Sequence, residues 1–316
     1  MTPPKPIVFQ RYDAPDQRQK LDYRYDYRPL VNRSGFFNQH INSEEILLYF
    51  RWIIMKIANQ KIIDGKKYQL EFYDGFDLGY LDESHWLPYY LPQWSSRELS
   101  SPRFEFSENG FSLNIEQDQK PWCPEFNGEV RVSSLQTGVY SGPVGSLLGQ
   151  HRFSPDCRVR QAQVAEKKYL PKYGYFELRA KCPIAASNVA ALWMIGYEDL
   201  PERSAEICLF ELKGKNICDG YSLIGYGVHP FGDTRIREEF YEEPVEIDVT
   251  LFNTYAIAWT ENKIDFFIND RKVRTISQSP DYEMQLMLNL YDLENSNAEN
   301  MRFFIDYVAG FRSNDF

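Results

Sequence analysis

The sequence predicts an all-β protein of the sandwich or jelly-roll class, and three observations lead to that class. From Tyr68 onward the chain consists of short segments rich in β-branched and aromatic residues. Turn signals such as Asn109-Gly110 and Asn269-Asp270 separate many of these segments. No segment of helical periodicity and helix length interrupts the series. Many short strands without alternating helices are typical of sandwiches and jelly rolls.

The candidate strands follow one another at short intervals. Each combines β-branched or aromatic residues with flanking turn residues, which favours an extended backbone. Between them we expect two long loops, one over the Gly- and Ser-containing stretch Gly138–Gly149 and one over the acidic stretch Arg237–Asp248. The candidate strands are residues 110–117, 129–136, 173–182, 188–196, 205–214, 255–260, 263–270, 284–290 and 303–311.

Residues 1–69 differ from the rest and are interpreted as an N-terminal extension, with residues 70–316 as the main domain. Asn42 begins an N-x-x-E capping pattern, and apolar residues then recur at helical spacing, which predicts a helix at about 43–59. Because this helix is apolar nearly all round, we expect it to pack on the main domain; a partner-binding helix is the alternative. An extended strip with tyrosines on one side precedes it: Tyr23, Tyr25 and Tyr27.

The charge balance limits the class of partner. The chain has 35 Lys and Arg against 45 Asp and Glu, a net charge of −10. A nucleic-acid partner is not expected, because phosphate binding needs clustered basic residues. The longest apolar run, Ile46–Met55, is broken by Arg51 and is far shorter than the ~20 residues that span a bilayer. The 22 Phe, 22 Tyr and 6 Trp residues would suit a neutral, hydroxyl-rich ligand.

The cysteines predict neither a disulfide framework nor a zinc site. Their number is odd, and no C-x-x-C pair occurs. No cofactor is expected; a structural calcium ion is conceivable, but no D-x-D-type run indicates one. The N-terminus lacks the apolar core of a secretory signal, so we expect none in this chain. The five cysteines are Cys123, Cys157, Cys182, Cys208 and Cys218.

The most informative segment has two glutamates five residues apart, Glu206 and Glu211. In a regular strand Cys208 shares a face with Glu206, and Glu211 joins them only if a β-bulge adds a residue. The two glutamates then lie about 13 Å apart along the backbone. Their long side chains could bring the carboxyls to the ~5–5.5 Å that retaining glycoside hydrolysis requires. The spacing alone equally fits a solvated sheet face.

Several collinear motifs carry a family resemblance. Residues 206–211, E-I-C-L-F-E, resemble the bulged E-x-D-x-x-E catalytic strand of glycoside hydrolase family 16, the laminarinase and lichenase group. The resemblance covers about residues 70–312 and implies a concanavalin-like β-jelly roll with a glycan cleft on its concave sheet. The other similar segments are FYDGFDLGYLDESHW (72–86), KYGYFELRAKCP (172–183), ALWMIG (191–196), YAIAWTENKIDFFINDRKV (255–273) and MRFFIDYVAGF (301–311).

The resemblance implies a role for each matched residue. Glu206 would be the nucleophile and Glu211 the general acid/base, whose pKa burial and the neighbouring carboxylate would raise. Cys208 stands at the position of the family's helper aspartate. Trp193 would offer a ring face to a sugar, with an ordinary core tryptophan as the alternative. His229 would bond a sugar hydroxyl or the catalytic cluster, with a structural histidine as the alternative.

The cysteine leaves more than one function open. A thiol beside two carboxylates should stay neutral, so we expect slower catalysis, not its loss. The first hypothesis is a retaining endo-β-1,3- or β-1,3/1,4-glucanase acting on a polysaccharide. The alternative is a glycan-binding protein without catalysis, and a weaker third hypothesis is an interaction protein that uses the extension. Ala186–Val189 replaces the family's G-L-W-P, which removes one sugar platform.

Oligomeric state and compartment stay open at this stage. Free cysteines favour the cytoplasm, whereas proteins of the family that the chain resembles are commonly secreted.

Overall fold

The computed structural model describes residues 59–107, 110–294 and 301–313. Within them nearly all regular structure is β, which confirms the predicted class. The compact unit begins at Gln60, and its first strands pair within the main sheet, so the sheet starts ten residues before the boundary expected at residue 70. The tyrosine strip and nearly all of the helix expected at about 43–59 lie outside the residues that the structure describes.

The larger of the two main sheets has nine antiparallel strands. Its order is β1-β2-β18-β8-β14-β15-β16. Strand β4 also pairs with β18, and β3 pairs with β4. The strands are β1 (Gln60–Ile63), β2 (Lys66–Asp74), β3 (Arg103–Ser107), β4 (Gly110–Asn114), β8 (Gly174–Lys181), β14 (Asn253–Trp259), β15 (Ile264–Ile268), β16 (Arg271–Ile276) and β18 (Arg302–Ser313).

The second sheet has seven antiparallel strands and carries the glutamate pair. Its order is β11-β12-β10-β9-β17-β5, and β13 pairs with β12. The strands are β5 (Arg131–Gln136), β9 (Asn188–Gly196), β10 (Glu206–Lys213), β11 (Ile217–Cys218), β12 (Tyr221–His229), β13 (Glu239–Val245) and β17 (Met284–Asp292).

The remaining elements are short. Strands β6 (Gly138–Val139) and β7 (Glu166–Lys167) pair with each other. A four-residue helix spans Pro124–Asn127, and 3-10 turns span Pro92–Trp94 and Gly214–Asn216. Across the described ranges, no helix has the length and apolar character needed to cross a membrane.

The main core lies between the two large sheets. Alternate residues of each strand point inward, so β10 contributes Ile207 and Leu209 to it. Phe210 of the seven-stranded sheet packs on Tyr255 of the nine-stranded sheet with ring centroids 4.0 Å apart. This face-to-face packing of two antiparallel sheets is the expected jelly-roll sandwich.

One expected loop is in fact a strand. The loop prediction over Arg237–Asp248 is wrong for β13, which pairs with β12 from Glu239 to Val245. Strand β13 lies at the edge of its sheet, where charged side chains remain in water and Pro244 is tolerated. The high charge of the stretch therefore reflects an edge strand. By contrast, Gly138–Gly149 is mostly irregular apart from β6 and an isolated bridge between Ser141 and Gly149.

Candidate active site

A β-bulge in β10 brings the two glutamates to one face of the sheet. The register with β12 shifts between Cys208 and Glu211, and the register with β9 shifts between Cys208 and Phe210. Leu209 and Phe210 both belong to the core between the sheets, so two successive residues use the inner face. Glu206, Cys208 and Glu211 consequently lie on the opposite face, which we call the site face. This confirms the bulge predicted from the five-residue spacing.

A second apolar cluster covers part of the site face. It includes Trp193 of β9 and Met287 of β17, together with Tyr90, Trp94 and Trp122 from the segments that precede β5. The cluster lies over the β9–β17–β5 side. Glu211 and His229, on β10 and β12, retain partial exposure. The accessible part of the site face is therefore its β10–β12–β13 side.

Glu206 is buried at the start of β10. Burial raises the pKa of its carboxyl well above the ordinary value, and the carboxylates of Glu211 and Glu238 raise it further. The resemblance led us to expect this raised pKa at Glu211, but the deeper burial falls on Glu206. A buried carboxyl beside two other carboxylates is held toward its neutral form.

Glu211 has a cationic neighbour. Lys213 lies two residues on, and its Nζ is 3.4 Å from Glu211 Oε1 and 2.9 Å from Glu242 Oε1. Burial by itself lowers the pKa of Lys213, but the hydrogen bond to Glu242 and the charge of Glu211 outweigh it, so the pKa is raised overall. Lys213 therefore stays charged and orients the Glu211 carboxyl toward β13.

Cys208 lies between the two glutamates and is only 1% exposed. Burial raises the pKa of its thiol well above the ordinary value, and Glu211 and Glu206 raise it further. The thiol is therefore neutral near physiological pH and supplies neither a charge nor a strong hydrogen bond to Glu206.

Two glycines on β12 leave room beside the glutamates. Gly227 faces Cys208 and Gly225 faces Glu211 in the strand pairing. A Cβ added at Gly225 would lie 2.8 Å from a ring carbon of Phe240 and 3.1 Å from Glu211 Cβ. At Gly227, where φ is +151°, it would lie 2.2 Å from the Glu239 carbonyl oxygen. Alternate glycines in a strand signal such a close approach, and they can be read from the I-G-Y-G-V-H sequence around them.

Trp193 lies on the site face, opposite Cys208, and outside the core between the sheets. It is only 5% exposed, and its ring packs 5.0 Å from the ring of His151. The indole therefore supports the floor beneath the glutamates and has little free ring face to offer. Neither the open sugar platform nor the ordinary core tryptophan describes this position.

His229 lies directly opposite Glu206 in the pairing of β12 with β10. Its Nδ1 is 2.7 Å from a carboxylate oxygen of Glu238, and its ring stacks on Phe240 at 4.8 Å. Because Glu238 also raises the pKa of Glu206, His229 lies between two acidic groups of one cluster.

A buried tyrosine, Tyr90, and a half-buried one, Tyr291, are further members of the site that the sequence motifs did not indicate. The hydroxyls of Tyr291 and Tyr90 are 3.3 Å apart. Burial is the main cause of the raised pKa of each, and the charge of Glu206 contributes to both. Tyr90 lies outside the regular strands, so no periodicity in the sequence relates it to β10.

The described residues provide no metal centre at this site or elsewhere. Among residues 59–107, 110–294 and 301–313, no group of three or more His, Cys, Asp or Glu side chains is arranged to hold a metal ion. All five cysteines are free thiols. The ionisable groups described at the site include the carboxyls of Glu206 and Glu211, the ammonium of Lys213 and the imidazole of His229.

Comparison with known proteins agrees with this geometry. The sequence profile described as Glycosyl hydrolases family 16 matches residues 148–309, just over half of the chain and including all of β10. No curated protein sequence matches the chain.

Among solved structures, the chain is similar to a GlcNAcα1-4Gal-releasing endo-β-galactosidase from Clostridium perfringens, with a TM-score of 0.69 and 27% identity. That alignment covers 81% of this chain and 65% of the galactosidase, so the chain spans under two thirds of that relative. The laminarinase from Rhodothermus marinus has a TM-score of 0.52 and 17% identity, over 78% of this chain and 98% of the laminarinase, and it supports the fold alone.

Proposed function

Because the chain belongs to glycosyl hydrolases family 16, we propose that it is a retaining glycoside hydrolase that cleaves a β-linked polysaccharide. In this proposal Glu206 is the nucleophile and Glu211 the general acid/base, and Cys208 stands where the family has a helper aspartate. The observation that carries the proposal is the bulge in β10, which turns both glutamates to the site face.

The proposed reaction has two steps. Ionised Glu206 attacks the anomeric carbon, while protonated Glu211 gives its proton to the departing glycosidic oxygen. Glu211 then takes a proton from water, which attacks the glycosyl-enzyme and frees Glu206. The first step needs an ionised Glu206, although burial favours the neutral form of this carboxyl. A helper carboxylate would shift this balance, so we expect the natural chain to be a slow enzyme.

For the substrate we propose an endo-acting β-1,3- or β-1,3/1,4-glucanase activity as the first possibility. The galactosidase at 27% identity makes a β-galactoside a necessary second member of any substrate panel. The partner in either case is a polysaccharide or oligosaccharide, and the proposal requires no cofactor.

The catalytic proposal is tested by incubating the full chain with laminarin, mixed-linkage β-glucan and β-1,4-galactan and measuring new reducing ends. We expect cleavage of at least one of them, and a loss of about 10³-fold or more in Glu206→Gln, since the nucleophile is then absent. Proton NMR of the first product should show retention of the anomeric configuration. Inversion, or cleavage that Glu206→Gln leaves intact, would contradict the assigned roles.

A second candidate function is glycan binding without hydrolysis. The neutral thiol of Cys208 and the raised pKa of Glu206 favour it, because both work against an ionised nucleophile. Binding of the same glycans without release of reducing ends would support this candidate over the enzyme.

A further inference from the structure

A pocket lies beside the Glu206 end of the site and has not entered the proposed mechanism. Its volume is about 470 Å³, within the ~300–1,000 Å³ usual for small-molecule sites. The lining residues that matter here are the polar His151 and Glu198 and the apolar Phe231, Leu147 and Leu148. We call it the side pocket.

The side pocket adjoins the proposed active site through a series of ring contacts. The ring of His151 packs on Trp193 at 5.0 Å and on Phe231 at 4.8 Å. Phe231 in turn lies 5.9 Å from the ring of His229, which pairs with Glu206 across the strands. A chain of sugars bound at the two glutamates could therefore extend into the pocket.

Three residues that line the side pocket have backbone conformations that side chains seldom adopt. The φ angles are +48° at His151, +56° at Glu198 and +44° at Phe231. Such strain is concentrated at ligand sites, where the surrounding structure holds it in place. In this protein the three strained residues all line the same cavity.

The interior of the pocket combines polar groups with apolar walls. Glu198 is 9% exposed and accepts a hydrogen bond of 2.5 Å from the His151 backbone N–H. The Nδ1 atom of His151 is buried and has no hydrogen-bond partner within the described part of the chain. Phe231, by contrast, is 51% exposed, and both leucines are also exposed. A pyranose offers hydroxyls to such polar groups and C–H faces to such a wall.

We propose that the side pocket is a sugar subsite that receives one uncharged pyranose of the bound polysaccharide, stacked on Phe231 and hydrogen-bonded to Glu198 and His151. The proposal rests on the glycan-binding part of the proposed function and does not require hydrolysis.

The electrostatics of the pocket agree with an uncharged sugar. Burial raises the pKa of Glu198 to about 8, and burial with the nearby His229 lowers the pKa of His151 to about 4. Both side chains are therefore neutral near pH 6. Among the lining residues the charge near pH 6 is that of the exposed Arg152, whose guanidinium donates to the neutral Pro155 carbonyl. A sulfated or uronic sugar would bring a charge into a pocket whose inner groups do not compensate it.

The experiment measures binding by calorimetry on the full chain carrying Glu206→Gln, so that no probe is cleaved. The probes are laminarihexaose, β-1,4-galactohexaose and sulfated laminarihexaose. In this background Phe231→Ala is compared with Leu251→Ala, a control at an apolar side chain that is 63% exposed and is not among the pocket residues. Phe231→Ala should raise the Kd of the bound neutral probe about tenfold. Leu251→Ala should leave it unchanged.

Each outcome decides the proposal. The proposal is overturned if Phe231→Ala binds the neutral probe as tightly as the chain that carries Glu206→Gln alone. It is also overturned if the sulfated and neutral hexasaccharides bind equally well, or if neither neutral probe binds. If binding depends on Phe231 while the natural chain releases no reducing ends, the catalytic proposal fails and the subsite stands.

Discussion

At the scale of single residues, the central feature is the thiol between two carboxyls. Cys208 occupies a buried position on the site face, and its raised pKa keeps it neutral. Burial favours the neutral form of Glu206, whereas Glu211 contacts the ammonium of Lys213. The proposed hydrolysis needs an ionised Glu206, which is the form that burial disfavours.

Restoring a carboxylate at position 208 should correct this balance. Cys208→Asp adds a carboxyl that donates a hydrogen bond to ionised Glu206 when it is protonated, and that favours protonation of Glu211 when it is charged. We expect kcat on a cleavable glycan to rise by about 10-fold or more, since positioned acid–base groups are typically worth 10²–10⁴-fold. Initial rates of reducing-end release would measure the change.

Cys208→Asn is the matched control for this substitution. It has nearly the shape of aspartate without the charge, so it should not reproduce the gain. If Cys208→Asp folds and binds glycan but its rate equals that of Cys208→Asn, the charge is not what limits catalysis, and the glycan-binding function becomes the better account.

At the scale of elements, the bulged strand β10 and the glycine-containing strand β12 together form the site. Segments rich in β-branched and aromatic residues, bounded by turn signals, predicted most strands, because such residues favour an extended and largely buried backbone. The bulge was predictable from the five-residue spacing of Glu206 and Glu211 together with the resemblance of this segment to a bulged catalytic strand. Strand β13 was missed because its charges face water at a sheet edge, and charge alone does not distinguish an edge strand from a loop.

Contacts between distant segments could not be predicted from the sequence. The side pocket joins residues near positions 150, 198 and 231, and their positive φ angles leave no pattern in the residue types. Likewise, the pairing of Tyr90 with Tyr291 depends on how the segment before β3 crosses the sheet. Local periodicity identifies strands, but it carries no information on which irregular segments cover them.

The glycines of β12 provide a test of this arrangement. In Gly225→Ala the new Cβ would lie 3.1 Å from Glu211 Cβ and 2.8 Å from Phe240, so one of them must move. Misplacing a catalytic group by as little as ~1 Å can cost about 10²-fold in rate. We therefore expect kcat to fall by one to two orders of magnitude on that basis, measured as reducing-end release at saturating substrate.

The control for Gly225→Ala is Gly220→Ala, just before the same strand. A Cβ there meets no atom within 4 Å, although its φ of +80° makes the substitution locally strained. Gly220→Ala should lower the melting temperature while kcat is retained. Equal loss of kcat in both variants would show that β12 responds as a whole and that the contact with Glu211 is not specific.

At the scale of the whole molecule, the buried carboxyl of Glu198 connects the side pocket to global stability. Its pKa is about 8 in the folded protein, because of burial, against an ordinary value of 4.5. Between these two pH values the unfolded chain releases the proton while the folded chain keeps it, so rising pH favours unfolding. Below about pH 4.5 both states hold the proton, and this contribution to stability is fully present.

Glu198→Gln removes this titration and keeps the hydrogen bond from the His151 backbone, because the amide oxygen accepts it equally well. The free energy of unfolding of the variant should therefore rise relative to that of the natural chain between about pH 5 and about pH 8. The expected gain is about 1.4 kcal/mol for each pH unit in this range. The free energy of unfolding in urea, measured for both proteins at several pH values, gives this difference directly. His151, whose pKa is lowered to about 4, titrates in both proteins and so largely cancels. A stability difference that stays constant across this range would mean that Glu198 is ionised in the folded protein and that the side pocket carries a negative charge.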